Sequence, residues 1–158
     1  MQYDPNGDLH AMLGESFYQL GLQGTTEVHK NHLIKARALM EKVVMTKKEH
    51  KVANNILGNI YSSGLGVAVD HKKAYNYFRT NAEQDSAIDT FNAGQAAHSM
   101  GDLKQAFRWY ERALQLAKDQ DTAEDHLFIE TSFKNMASIF YGEDKSFYEK
   151  RIPYLKEY

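Results

Sequence analysis

The sequence predicts an all-α chain, a solenoid of about four helix-turn-helix repeats, and three observations predict it. Apolar residues recur at helical spacing, while prolines number two in 158 residues and no β-branched stretch alternates. A small residue recurs in the first helix of each expected pair, at Gly14, Gly58, Gly94 and Ala137, at intervals of 44, 36 and 43. A matching slot in the second helices falls at Ala36, Ala74, Ala106 and, with a large residue instead, Tyr148. Finally, the best-formed stretch, residues 53–82, makes one helical hairpin, which needs stacked copies to bury its apolar faces.

The first helix is expected over residues 8–20, where Leu9, Met12, Leu13, Phe17 and Leu20 keep helical spacing and Gly21 can end it. Polar residues 21–31 delay the second helix, which should begin near Thr26 or Asn31 and run to Met45. There Lys35-Ala36-x-x-Leu39-Met40 anticipates Lys73-Ala74-x-x-Tyr77-Phe78. Thr46-x-x-Glu49 reads as a capping box opening the third helix, and Asp70 as the cap of the fourth. Ser86-x-x-Asp89 and Asp102-x-x-Gln105 open the next two. Asp121 or Thr122 should start a longer helix ending near Tyr141. Gly142 and Asp144 then reset the chain before a last helix that Pro153 ends or kinks. Trp109, Tyr110, Tyr77 and Phe78 fall on faces that should meet neighbouring helices. Arg37, Lys72, Arg108 and Arg112 should face solvent.

Length and spacing together read as a single domain over residues 1–158, with repeats at about 8–46, 47–82, 86–118 and 122–158. A formal charge of −2 argues against nucleic-acid binding, which calls for a basic face. No apolar run reaches the roughly 18 residues of a membrane span, so no membrane insertion is expected. The start MQYDPNGD lacks a basic then apolar leader, so the expectation is cytoplasmic; a chain whose signal peptide had been removed would fit a periplasmic or secreted place. With no cysteine there is neither a disulfide framework nor a thiolate ligand.

Residues 53–82 resemble a Sel-one-like repeat, the tetratricopeptide variant with an extended G-x-G-V-x-x-D turn. Leu57, Gly58, Tyr61, Gly64, Gly66, Val67, Asp70, Lys73, Ala74 and Phe78 agree with it, and Asn81 departs where an alanine is usual. Residues 87–118 are more similar to a plain tetratricopeptide repeat, through Gly94, Gly101, Asp102, Ala106, Tyr110 and Ala113, with Ala97 and Lys118 as departures. The resemblance implies a right-handed superhelix whose first helices line a concave groove that binds peptides or proteins. Carried over residue by residue, it implies groove positions at Ala11, Glu15 and Tyr18, then Asn55, Asn59 and Ser62. Phe91, Gln95 and His98 follow, and last Lys134, Ser138 and Tyr141. Asparagine amides both donate and accept, which suits an extended backbone, and Phe91, Tyr18 and Tyr141 are the expected anchors, Phe91 foremost.

Chemistry is sparse by comparison. His29 and His32, three apart near Glu27, read as solvated loop histidines; a metal site would need a third ligand that the neighbouring sequence does not offer. Gly64-x-Gly66 lacks the third glycine and the G-K-[ST] of a phosphate cradle. No G-x-S-x-G elbow occurs. The expectation is therefore a non-catalytic protein–protein interaction module, scaffold or adaptor, with no cofactor or metal. It should act as a monomer or weak homo-oligomer on another protein or peptide. An alternative is a dedicated chaperone, inhibitor or immunity-type protein using loop edges such as residues 21–31 rather than the groove. A metal-binding protein or enzyme is the distant alternative.

Overall fold

The computed structural model describes residues 4–5, 7–120, 123–142 and 145–151, and these form eight helices: α1 (Asp8–Leu22), α2 (Glu27–Thr46), α3 (Lys51–Ser63), α4 (His71–Ala82), α5 (Ala87–Ser99), α6 (Leu103–Gln120), α7 (Ala123–Gly142) and α8 (Lys145–Glu149). The architecture is all-α. The chain divides into two compact units, residues 1–84 and 85–158, and within each unit consecutive helices pack on one another as antiparallel pairs.

In the first unit α1 lies on α2, and α3 lies on α4 while also touching α1 and α2. Ala36, Met40, Ala53, Leu57, Ile60 and Ala74 are fully buried there. Gly58 places α3 against the ring of Phe78, and Gly14 places α1 against Met40. After α3 the chain turns through two left-handed glycines, Gly64 (φ 68°) and Gly66 (φ 69°), a backbone that side chains disfavour. The Leu65 N–H donates to Ile60 O at 2.9 Å and the Asp70 N–H to Tyr61 O at 2.9 Å, closing the turn. Asn81, the departure from the family pattern, is buried and donates its amide to Lys51 O at 2.9 Å, tying α4 to the start of α3.

The second unit repeats the device. α5 lies on α6, α6 on α7, and the ring of Tyr110 fills the space opposite Gly94. Phe107, Tyr110 and Met136 are fully buried, with Trp109 only 8% exposed. Asp85, at φ 59°, enters the unit and receives a hydrogen bond from the Arg112 guanidinium at 2.6 Å.

Three expected caps form. Asp70 accepts from Lys73 N–H (2.9 Å), Ser86 from Asp89 N–H (3.4 Å) and Asp102 from Gln105 N–H (3.2 Å). The capping box at Thr46 does not. Thr46 is still inside α2, its hydroxyl donating to Lys42 O at 3.3 Å, and α3 starts five residues later with His50 as its cap. Gly21 does not end α1 either; it is buried within it, where a β-carbon would meet Leu33 at 2.5 Å. The expected start at Asp121 or Thr122, the reset at Asp144 and the break at Pro153 lie outside the described residues.

Candidate functional site

Polar side chains gather on the first-helix side of each unit. In the first, Tyr18 of α1 is buried and its phenol is hydrogen-bonded by the side chain of Asn59 on α3; burial pushes its pKa above the usual tyrosine value. The Asn59 amide donates to Asn55 Oδ1 at 3.2 Å, one turn earlier on α3. Asn55, Asn59 and Ser62 are half-buried and Glu15 is exposed. Glu15 and Asn59 occupy the same repeat position, one after the small residue, so the row follows the repeat register.

In the second unit a notch of about 340 Å³ is lined by Gln95, His98 and Ser99 of α5, Tyr110 of α6 and Asn135 of α7. Tyr110 is the fully buried floor. Its hydroxyl lies 3.5 Å from His98 Nδ1 and is hydrogen-bonded by the Asn135 side chain. Burial pushes this tyrosine up to about 12, so it stays a neutral donor and acceptor throughout the physiological range. Gln95 is exposed above it and His98 is half-buried. Such a notch presents an imidazole and two amides above a buried phenol, groups that match a peptide backbone or side-chain amide.

Two expected anchors are placed elsewhere. Phe91 is 5% exposed and packs its ring on Tyr110 at 5.6 Å, so it is a core residue rather than an open anchor. Tyr18 likewise presents little surface, at 8%. Both rings are large enough to reach the neighbouring helix and bury more apolar area there than they would in solvent. Lys134 and Tyr141 are exposed on α7, Tyr141 at 59%. Tyr110, expected as core packing, is fully buried at the floor of the notch, while Asn135 was missed in the sequence because it sits at the position that Met12 and Ile56 hold in other copies.

His29 and His32 lie inside α2 rather than in a loop. His29 Nδ1 is 2.6 Å from the hydroxyl of Thr26 at the helix start, and the half-buried His32 ring stands 5.7 Å from that of Phe17. Among the described residues no three histidine or acidic side chains are placed to hold a metal ion, and no helix is long and apolar enough to cross a membrane.

A second concavity, of about 710 Å³, opens at the loop edge of the first unit. Gly21, Gly24, Lys30 and Leu33 form one side, and the Gly64–Val67 turn forms the other.

Residues 51–86 and 94–117 match the family model of the Sel1 repeat, which covers the α3–α4 hairpin and most of α5–α6. Over 98% of its length the chain is 26% identical to the TPR repeat-containing protein YpiA of Bacillus subtilis (strain 168), covering 36% of that relative. Its fold is similar to a protective antigen present in uropathogenic Escherichia coli strains, whose crystal structure displays an SLR fold. The TM-score is 0.52 at 23% identity, covering 85% of this chain and 30% of the other. The chain thus spans about a third of the length of these two proteins.

Proposed function

We propose, from the premise that the chain is a Sel1-repeat protein of the tetratricopeptide-like class, that it is a non-catalytic module holding another protein through an extended segment laid on its first helices. The observation that carries this reading is the notch of Gln95, His98 and Asn135 over the buried Tyr110, a recessed set of hydrogen-bonding groups. Asn55 and Asn59 in the first unit supply the same chemistry. Either set, within its own unit, can meet a peptide backbone through amide groups, which disfavours an acidic tail as the ligand. The reading places the module in the cytoplasm as an adaptor or scaffold.

A second reading has its own support in the cleft between residues 21–33 and the Gly64–Val67 turn, which suits a dedicated partner that grips the loop edge. Photo-crosslinking residues introduced at Gln95 and at Lys30, followed by mass spectrometry of captured partners, separates the two. Adducts through position 95 support the helix-row reading. Adducts through position 30 alone replace it with the edge reading.

A further inference from the structure

The cleft at the loop edge of the first unit has a chemistry different from that of the polar row. Its volume of about 710 Å³ lies within the roughly 300–1,000 Å³ of small-molecule pockets. Leu22 at the end of α1, Leu33 on α2, and Leu65 and Val67 in the turn after α3 give it aliphatic walls. Among the described lining residues Thr25 is the one neutral polar side chain, Lys30 the one charge, and the rest are glycines. The walls are held before a ligand arrives. The Leu65 N–H donates to Ile60 O and the Asp70 N–H to Tyr61 O, each at 2.9 Å. The turn also leans on α2, where a β-carbon at Gly66 would sit 3.4 Å from both Leu33 and Ile34.

Lys30 selects the occupant. It is exposed and, among the described residues, makes no ion pair. Two acids stand near it in the fold, Glu27 one turn earlier on α2 and Asp70, whose carboxylate accepts the Lys73 N–H. Neither lines the cleft. A matching ligand therefore brings an apolar body and a single negative charge. A dianion exceeds the one cation, and a cationic ligand would meet only repulsion. A peptide end would also bring backbone amides, for which Thr25 is the one neutral side-chain partner, and an unmet buried amide is costly. We propose that this cleft binds a small aliphatic carboxylate, its chain among Leu22, Leu33, Leu65 and Val67 and its carboxylate beside Lys30. The site depends neither on the polar row nor on a protein that grips this edge, so its failure would leave both readings of the partner surface standing.

The probe is octanoate, titrated into the full chain by calorimetry and by two-dimensional amide NMR, with octylammonium and acetate as controls. Octanoate is expected to bind at one site and to shift the amides of Leu33 and residues 64–67, while neither control moves them. Lys30→Glu removes an attraction and adds a repulsion, so it should weaken octanoate about tenfold, and Lys30→Arg should keep the parental affinity. Lys42→Glu makes the same charge change at an exposed α2 residue outside the cleft, and should bind as the parent does. Lys30 is exposed, so its variants should keep the parental melting curve. Shifts that avoid those amides, equal binding of octylammonium or acetate, parental affinity in Lys30→Glu, or an equal loss in Lys42→Glu would each overturn the proposal. So would tighter binding of the peptide acetyl-glycyl-leucine, because a chain end would then be the occupant.

Discussion

A β-carbon built at Gly58 would lie 2.4 Å from the Phe78 ring, at Gly94 2.8 Å from Tyr110, and at Gly14 3.0 Å from the flexible end of Met40. Substitution to alanine should therefore destabilise in that order. Gly58→Ala should cost about 1–3 kcal/mol and Gly14→Ala least, as read by urea denaturation; equal midpoints for all three would refute the pairing. The small slots were legible in the sequence because a small residue between large ones at a fixed interval has one physical use, close helix approach. Phe91 was not legible. Its repeat position is held by Asn55 and Lys134 in other copies, whereas here the ring packs on that of Tyr110. Phe91→Ala should accordingly behave as a core truncation, losing about 3–5 kcal/mol. Tyr61, which donates to Glu41 at 2.7 Å, and Tyr110 are both pushed up to about 12, burial being the larger cause for each. The unfolded chain ionises these phenols near their ordinary value of about 10 and the folded one later. Their contribution is thus intact below pH 10 and is lost as pH rises from about 10 towards 12. Absorbance titration at 295 nm should show late-ionising tyrosines that shift to ordinary values in urea.

Among the elements, helix starts separate the legible from the hidden. Asp70, Ser86 and Asp102 were readable as caps because each precedes an apolar periodic run and has an N–H three residues on to satisfy. Thr46 carries the same local signature, yet it is the last residue of α2 and α3 begins only at Lys51. Val43 is buried, Lys47 still donates to its carbonyl at 2.8 Å, and the turn is completed by Asn54, which donates to Lys48 O and His50 O. That long-range demand is invisible in a four-residue motif. Asp70→Ala should therefore cost about 0.5–2 kcal/mol in thermal melts, whereas Thr46→Ala should stay within about 0.5 kcal/mol. A larger loss at Thr46 would restore the capping box. The same blindness hid the notch, since Tyr110 and Asn135 sit on different helices and only packing brings them beside His98.

Across the whole molecule, the repeat pattern was legible over residues 51–86 and 94–117, where the Sel1 repeat model matches, while the division into units at 84/85 was not. It depends on which pairs pack, not on which residues recur. Residues 1–84 hold two complete hairpins with their own buried centre, so this fragment should fold alone, with a helical spectrum and a cooperative melt. A featureless melt would make the first unit dependent on the second. The molecule also carries its own means of telling the two apart. Its single tryptophan, Trp109, lies on α6 in the second unit, nearly covered and with Arg112 5.8 Å from its ring. Intrinsic tryptophan emission therefore reports on the second unit alone, whereas far-ultraviolet dichroism reports on the helices of both. If the emission and dichroism transitions coincide on heating, the two units melt as one. If they part, the gap between the curves measures how far one half of the chain can open while the other stays closed.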